Sequence, residues 1–229
     1  MGAIQLVAFD LAGTTIRDRG EVERAFLVAL DKHGIVATAD EIQQRRGAAK
    51  RDVFRYFVER QLGTSPDNEA LAADVLADFR QVLQESYGRD GVAVVPGTEE
   101  TFAWLRASGI RVAVMTGFDR EITDTLLHAV GWRDRLVDAV VCSDDVARGR
   151  PAPYLIFRAM EQTGVTDVRR VIVVGDTAND LLAGANAGVL GVVGVLSGSQ
   201  GIETLGKVWH THIIGSVAEL PALVQTAFA

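Results

Sequence analysis

Acidic side chains follow two short apolar segments that lie far apart in the sequence. Asp10 comes directly after Ile4–Phe9, and Asp176 follows Arg170–Val174 after one glycine. Asp180 comes one helical turn later and points the same way. If both segments are parallel strands, their carboxyl ends meet at one edge of a sheet, and the three carboxylates converge there. Converging carboxylates repel one another unless a cation lies between them, and oxygen ligands of this kind suit Mg²⁺.

Two further predicted strand ends, at Thr116 and at Arg150, offer groups that bind phosphate oxygens. Thr116 and Gly117 follow the apolar segment Arg111–Met115 and offer a hydroxyl and free backbone N–H groups that open a predicted helix, which is a favourable anion site. Arg150, between a glycine and a proline, offers a guanidinium that can bind two phosphoryl oxygens. A carboxylate nucleophile, a Mg²⁺ ion and an anion site together predict phosphoryl transfer through an aspartyl-phosphate.

The segments that carry these residues predict an α/β fold. Apolar runs without alternation are typical of strands covered on both faces, and segments with helical spacing of apolar residues lie between them. This order predicts a doubly wound, Rossmann-like domain with a mostly parallel sheet. The predicted strands are Ile4–Phe9, Arg111–Met115, Asp138–Val141, Arg170–Val174, Val192–Val195 and Thr211–Ile214, and the predicted helices between them are Gly97–Ser108, Arg120–Val130, Pro153–Thr163 and Ala178–Ala187.

The interval between the first strand and Gly97 has almost no strand signal and reads as a helical insertion. Such a block would lie above the carboxyl edge of the sheet, where folds of this class bind their ligands. We therefore predict an α/β core domain of residues 1–17 plus 92–229 and a helical cap domain of residues 18–91. The predicted cap helices are Glu21–His33, Thr38–Arg46, Lys50–Leu62 and Asp67–Tyr87.

The composition is that of a folded, acidic protein. Of the 229 residues 48% are apolar and 23% are charged, which excludes a disordered or fibrous chain. The formal net charge of −7 argues against a nucleic-acid surface, which needs clustered basic residues. The amino terminus has no signal-peptide pattern, and the most apolar stretch, Ala187–Leu196, is about half of the roughly 20 residues that a membrane span needs. A single cysteine, Cys142, favours a reducing compartment. We expect a soluble, cytoplasmic protein.

Four motifs occur in an order that resembles the haloacid dehalogenase (HAD) superfamily with an inserted helical cap. They are DLAGTT, an apolar strand ending in Thr-Gly, Gly-Arg-Pro and GDTAND, and the resemblance spans the whole chain. Within the superfamily the chain is most similar to the phosphonoacetaldehyde hydrolases (phosphonatases), through these motifs together with TGFDRE, DDVARGRPAP, VGDTANDLLAGANAG and GVLSGSQG. This resemblance implies a Mg²⁺-dependent hydrolase that acts on a small phosphorylated or phosphonate metabolite and cleaves a carbon–phosphorus bond.

The resemblance also implies a role for each matching residue. Asp10 would be the nucleophile and would ligate Mg²⁺ together with Asp176 and the backbone carbonyl of Ala12, with Asp180 supporting the metal site. Thr116, Gly117 and Arg150 would bind the phosphoryl group.

Two positions separate a phosphonatase from a phosphatase. Phosphatases of this superfamily usually carry a second Asp two residues after the nucleophile as a general acid, an effect worth about 10²–10⁴-fold, and this chain has Ala12 there. Lys50 matches the phosphonatase lysine that forms an imine with the substrate aldehyde. Such an amine must be neutral to attack, so burial or cations such as Arg46 or Arg51 should lower its pKa.

Several alternatives stay open at this stage. Phosphonatases carry a Met and a His where this chain has Arg46 and Val53, which leaves the substrate undecided. Lys50 could instead be a solvated surface charge, and Asp180 a solvated acid in a first helical turn. The chain could also be a phosphatase of small phosphate esters or, because of Ala12, a non-catalytic phosphate-binding protein.

The remaining polar candidates favour structural interpretations. Cys142 reads as a buried small hydrophobe, and the histidines as structural residues. The loop Ser197–Gly201 is either an anion cradle or a flexible connector. The apolar positions of Glu21–Leu30 could pair two caps in a homodimer, as in phosphonatases, or face the cap's own core.

Overall fold

The computed structural model describes residues 4–133 and 135–228. Its centre is a six-stranded sheet in the order β3-β2-β1-β4-β5-β6, and every neighbouring pair is parallel. The strands are β1 Leu6–Asp10, β2 Arg111–Met115, β3 Ala139–Val141, β4 Val171–Gly175, β5 Gly191–Val195 and β6 His212–Ile214. Each predicted strand is present with its ends shifted by no more than a few residues, so the predicted doubly wound α/β fold is confirmed.

The sheet is covered on both faces, as the continuous apolar strands predicted. Alternate residues of β1 belong to different apolar clusters: Val7 and Phe9 pack on one face, and Leu6 and Ala8 on the other. All five residues of β1 are buried, and the same holds for β4 and β5. The helices that follow the strands are α5 Thr98–Ala107, α6 Arg120–Val130, α7 Tyr154–Thr163, α8 Ala178–Ala187, α9 Ile202–Leu205 and α10 Leu220–Ala227.

Four helices lie between β1 and α5, where the sequence predicted a helical block. They are α1 Glu21–Lys32, α2 Ala39–Gln44, α3 Lys50–Leu62 and α4 Pro66–Asp90. Local signals fix two of their starts: Thr38 forms a capping box with Glu41, and Ser65 caps α4 just before a proline. We call α1–α4 the cap helices. The division of the chain into two domains at residues 17/18 and 91/92 stays a prediction.

An aromatic cluster holds the cap helices together. Phe26, Phe54 and Phe79 come from three different helices, are fully or almost fully buried, and have ring centroids 4.8–5.3 Å apart. Phe118, from the loop after β2, lies 6.4 Å from Phe79 and joins this cluster to the sheet. The cap helices and one face of the sheet therefore share a continuous apolar core.

The burial of helix α1 bears on whether its apolar residues pair two caps or face the cap's own core. Most of its apolar residues, including Val22, Phe26 and Leu30, are buried against the other cap helices, whereas Leu27 and Val28 are 39% and 46% exposed. The apolar pattern is thus explained mainly by the cap's own core, and a homodimer stays a prediction. Among the described helices, none has the length and hydropathy of a membrane span.

Replacing Phe79 tests the importance of the aromatic cluster. Because Phe79 is fully buried among three rings, Phe79→Ala should lower the free energy of unfolding by about 3–5 kcal/mol. Leu62→Ala, at a side chain that is about half exposed, should change it by less than about 0.5 kcal/mol. Urea denaturation of both variants measures the difference, and equal effects would contradict a shared core.

Candidate active site

The predicted acids meet at the carboxyl edge of the central strands. β1 lies between β2 and β4, so the chain order reverses beside it, and such a switch point opens a crevice at the carboxyl ends of the strands. Asp10 is the last residue of β1, and Asp176 directly follows β4. Asp180 lies in the first turn of α8. The carboxylates of these three residues offer oxygens within 4.8 Å of one another, and all three side chains are buried. The predicted convergence is therefore present in the structure.

Arg150 lies among these acids. Its Nη1 atom donates to Asp10 Oδ1 at 2.6 Å and lies 2.8 Å from Asp180 Oδ1, and its Nη2 atom donates to the Met115 carbonyl at 2.8 Å. The guanidinium is almost completely buried. Arg150 lies in the loop between β3 and α7 rather than at a strand end, so the expectation that it directly ends a strand is wrong. The loop folds back over the sheet edge and brings the positive charge to the carboxylates.

Asp176 is held by donors from two loops. Its Oδ1 atom accepts from the Thr14 hydroxyl at 3.0 Å, and its Oδ2 atom accepts from the Ser199 N–H and hydroxyl at 2.7 and 2.8 Å. Gly13 approaches the carboxylate so closely, with φ +98°, that a Cβ atom there would collide with it. A Cβ atom on Gly198 would collide with the same carboxylate. The orientation of Asp176 is therefore fixed before any ligand binds.

Asp180 is buried in the first turn of α8, and one of its two carboxylate oxygens accepts hydrogen bonds from the helix cap Thr177. Its Oδ2 atom accepts from the Thr177 N–H at 3.0 Å and from the Thr177 hydroxyl, which forms a capping box at the start of α8. Its Oδ1 atom is buried and has no hydrogen bond in the described structure, although Arg150 is near. Because Asp180 is 1% exposed, its interpretation as a solvated acid is wrong.

The three acids have the properties of a site for a hard cation. Burial first, and then the charge of Asp10, raise the pKa of Asp176 to about 6. Burial likewise raises the pKa of Asp180 to about 7, against the opposing charge of Arg150, and the like charges of Asp10 and Asp176 add to the increase. An additional cation would relieve this repulsion, and carboxylate oxygens are the ligands that a hard cation prefers. The residues present therefore fit a Mg²⁺ ion.

Thr116 and Gly117 lie beside Asp10, but not at the start of a helix. Helix α6 begins at Arg120 and is capped by Asp119, whose Oδ1 atom accepts from the Ile122 N–H at 3.2 Å. The expectation that Thr116 and Gly117 open this helix is therefore wrong, because the chain makes a turn first. Both residues are buried, and in the part of the chain that the structure describes the Gly117 N–H has no acceptor. It is a free donor at the sheet edge.

Lys50 lies on the inner side of the cap helices. It is the first residue of α3, it is 5% exposed, and its N–H donates to the Gly117 carbonyl at 3.1 Å. Its Nζ atom donates to the Ala48 carbonyl at 3.2 Å and lies 4.9 Å from the centre of the Phe118 ring. The interpretation of Lys50 as a solvated surface charge is therefore wrong.

The surroundings of Lys50 make its amine less basic. Burial first, and then the charge of Arg46, lower the pKa of Lys50 from 10.5 to about 8, while Asp10 opposes the shift. Arg51, the other cation expected to contribute, is half exposed and pairs with Asp52. The predicted decrease of the pKa is present, with Arg46 as the neighbouring cation.

Arg46 and Val53 occupy the positions where the chain departs from phosphonatases. Arg46 is buried and pairs with Asp18, in the segment between β1 and α1. Burial opposes ionisation of Asp18, but the charge and hydrogen bond of Arg46 hold the pKa of Asp18 below its usual value. Val53 is buried in α3 and has no group that could carry a proton.

One small cavity connects the core residues with the cap residues. It is lined by Asp10 at the end of β1 and by Ala12 after it, by Thr116 and Gly117 after β2, and by Lys50 from α3. The space for the centres of water molecules is about 20 Å³, which is room for about one or two waters. Asp10 and Lys50 therefore line the same cavity.

Sequence reasoning missed the residues that hold Asp176. The loop Ser197–Gly201 is neither an anion cradle for a ligand nor a free connector, because Ser199 donates to Asp176 and the Gln200 side chain bonds both α8 and α2. The position of this glycine-rich loop directly after β5, at the same sheet edge as Asp176, could have indicated this contact. Thr14 lay within the DLAGTT motif and had no assigned role.

The remaining polar candidates are structural, as expected. Cys142 is fully buried, and burial raises the pKa of its thiol to about 12. His33 pairs with Asp78 of α4, and His212 packs edge-on against Phe228.

Comparison with known proteins matches this arrangement to one family. The sequence pattern of haloacid dehalogenase-like hydrolases matches residues 4–188. A phosphonoacetaldehyde hydrolase of Bacillus cereus is 32% identical over 211 residues, which cover 86% of this chain and 77% of that protein.

Solved structures with the same fold include two bacterial proteins. A hydrolase from Pseudomonas syringae superposes with a TM-score of 0.85 at 21% identity, covering 97% of this chain and 99% of that one. A phosphonoacetaldehyde hydrolase-like protein from Oleispira antarctica superposes with a TM-score of 0.82 at 22% identity, covering 98% and 92%. At these identities the superpositions establish the fold alone. The 32% identity to the Bacillus protein establishes that the two chains belong to one family.

The buried acids predict how stability depends on pH without metal. The pKa values of Asp176 and Asp180 are raised in the folded state, so the folded protein binds protons that the unfolded chain has already released. Their contribution to stability is therefore present below about pH 4 and is lost as the pH rises to about 7. In a chelator, Asp180→Asn should therefore make the free energy of unfolding of the variant fall less, relative to the unmodified protein, as the pH rises from about 4 to about 7. A pH series of urea denaturation curves tests this, and an unchanged slope in the variant would contradict it.

Proposed function

The chain belongs to the haloacid dehalogenase-like hydrolase family, and from this premise we propose that it is a Mg²⁺-dependent phosphonatase. Its reaction is cleavage of the carbon–phosphorus bond of phosphonoacetaldehyde or a related small 2-oxoalkyl phosphonate, through an aspartyl-phosphate intermediate. The observation that carries this proposal is that Lys50 and Asp10 line the same cavity.

The core residues bind and attack the phosphorus end of the substrate. Asp10 is the nucleophile, and its carboxylate is oriented by Arg150 at 2.6 Å. Arg150, Thr116 and the free N–H of Gly117 bind the phosphonate oxygens and offset their negative charge, which is where most of the rate of such reactions arises.

The acid cluster provides the magnesium site. Asp10, Asp176 and the Ala12 carbonyl would hold the ion, and Asp180 would support it from α8. When bound, Mg²⁺ neutralises negative charge on the carboxylates and on the phosphonate. The donors from Thr14 and Ser199 hold the Asp176 carboxylate in place for this purpose.

Lys50 acts on the carbonyl end of the substrate. Its amine, with the pKa lowered to about 8, condenses with the carbonyl group and releases one water to form an imine. Asp10 then attacks phosphorus, the carbon–phosphorus bond breaks, and its electron pair moves into the protonated imine to give an enamine. Protonation of the carbon and addition of water release the carbonyl product from Lys50, and a second water releases phosphate from Asp10. The net reaction consumes one water.

The position of Ala12 favours this chemistry over ester hydrolysis. Ala12 lines the cavity two residues after the nucleophile and has no proton to donate to a departing alkoxide. A phosphatase of small phosphate esters would lack a contribution of about 10²–10⁴-fold from a general acid. The imine needs no acid at this position, because the electron pair of the broken bond moves to nitrogen.

A direct comparison of substrates tests the proposal. We expect phosphate release from phosphonoacetaldehyde to have a kcat/KM at least about 10²-fold above that for small phosphate esters, the lower end of what a general acid contributes. Turnover of esters with no release from the phosphonate would establish the phosphatase alternative. Inactivity of the Mg²⁺-loaded protein on every substrate would favour the non-catalytic alternative.

Replacing the nucleophile tests the aspartyl mechanism. Asp10→Asn should lower kcat by at least about 10³-fold, because an amide cannot attack phosphorus and loss of a nucleophile has effects on this scale. Asp52→Asn, at an exposed side chain on α3, is the matched control and should retain activity. If Asp10→Asn leaves phosphate release unchanged, the mechanism is wrong.

Reductive trapping tests the role of Lys50. With borohydride and phosphonoacetaldehyde, the substrate-derived carbon chain should become attached to Lys50 alone, although the chain has three lysines. Lys32 and Lys207 are exposed, so they serve as internal controls for non-specific reaction. Lys50→Arg keeps a cation but cannot form an imine, and should give no adduct. Labelling of the exposed lysines with none on Lys50 in an active enzyme would contradict the imine.

A further inference from the structure

Arg46 is a buried cation beside the reacting groups with most of its donors unused. It lines the same cavity as Asp10 and Lys50, and it is 6% exposed. A guanidinium has five N–H donors, and within the described parts of the chain its side chain has one hydrogen-bond partner, Asp18. Its positive charge contributes to lowering the pKa of Lys50 and opposes the increase in the pKa of Asp176.

The backbone around Arg46 is fixed against the core. The Arg46 carbonyl accepts from the Asn179 side chain at 2.7 Å, and Gly47 follows with φ +79°. A Cβ atom on Gly47 would collide with Thr177, so this turn lies directly on the start of α8. With its backbone held and one nitrogen bound to Asp18, Arg46 has little freedom to leave the cavity.

The unused donors of Arg46 need an acceptor when the substrate is bound. In the free protein, water can occupy the cavity, but a substrate displaces water from so small a space. A buried guanidinium whose donors lose their acceptors is destabilised, and a ligand that supplies charged oxygens is favoured. The aldehyde hydrogen of phosphonoacetaldehyde cannot supply an acceptor at the carbonyl carbon, whereas a carboxylate can.

We infer that the preferred substrate carries a carboxylate on its carbonyl carbon, which makes it a 3-phosphono-2-oxocarboxylate, and that Arg46 is the residue that selects it. This inference rests on the proposed function. Asp10 faces the phosphorus end, Lys50 the carbonyl carbon, and Arg46, which lines the same cavity, the carboxylate. The steps are those given above. The carbonyl oxygen leaves as water when Lys50 forms the imine, and Asp10 attacks phosphorus while the electron pair of the carbon–phosphorus bond moves into the protonated imine. Protonation of the carbon and hydrolysis then release phosphate and a 2-oxo acid.

The test compares two substrates that differ only in this carboxylate. The kcat/KM for 3-phosphonopyruvate should exceed that for phosphonoacetaldehyde by at least about tenfold in the unmodified protein. Arg46→Gln should lower this ratio by about 10²-fold, since a site built to bind a polar group discriminates strongly through it. Arg46→Lys, which keeps the charge but loses the planar pair of donors, should give an intermediate ratio.

A neighbouring arginine provides the matched control. Arg45 lies outside the cavity, with its guanidinium 3.7 Å from the centre of the Tyr56 ring, so Arg45→Gln removes the same charge and should leave the substrate ratio unchanged. Thermal unfolding of each variant checks that it is folded.

The outcomes separate this inference from the proposed function. Cleavage of phosphonoacetaldehyde with a ratio below about ten, or with a ratio that Arg46→Gln does not change, overturns the selection of a carboxylate and leaves the phosphonatase proposal standing. Release of phosphate from esters alone, with neither phosphonate cleaved, overturns both.

Discussion

The structure depends on keeping three carboxylates together in a buried site. Asp10, Asp176 and Asp180 lie within reach of one another at the end of two neighbouring strands, and their mutual repulsion is offset in this chain by the buried Arg150. Several local features serve this arrangement. Gly13 leaves room for the Asp176 carboxylate, and the hydrogen bonds to these acids hold them where repulsion would otherwise separate them. Three buried carboxylates beside one buried guanidinium leave an excess of negative charge, so one more cation would stabilise the site.

The opposite charge requirements of the two ends of the cavity explain why the cap helices close over it. Asp10 must be charged to attack phosphorus, whereas Lys50 must lose its proton to attack a carbonyl. Burial suits the second requirement directly, and Arg46 adds to it, so the pKa of Lys50 falls while Arg150 keeps Asp10 paired. The contacts of Lys50 with Gly117 and of Arg46 with Asn179 join these two environments within a few ångströms.

Much of this was predictable because it follows from chain order. The parallel strands, the inserted helices and the convergence of Asp10 with Asp176 follow from hydrophobic patterns and from where each strand ends. The start of α3 at Lys50 was predicted to the residue, because a glycine and small residues precede a clear helical pattern. Side-chain directions after a turn were not predictable in this way. The cap formed by Asp119 and the bond from Ser199 to Asp176 depend on how loops fold back in three dimensions. The same is true of the burial of Arg46.

The central claim is that Asp10 and Asp176 share one divalent cation at the sheet edge. Crystals grown with Mn²⁺ in place of Mg²⁺ test it most directly, because Mn²⁺ prefers similar oxygen ligands and gives an anomalous signal. The account predicts a single strong anomalous peak bonded to one carboxylate oxygen of Asp10 and one of Asp176. A peak that contacts neither carboxylate, or no peak in the cavity at saturating Mn²⁺, would contradict it.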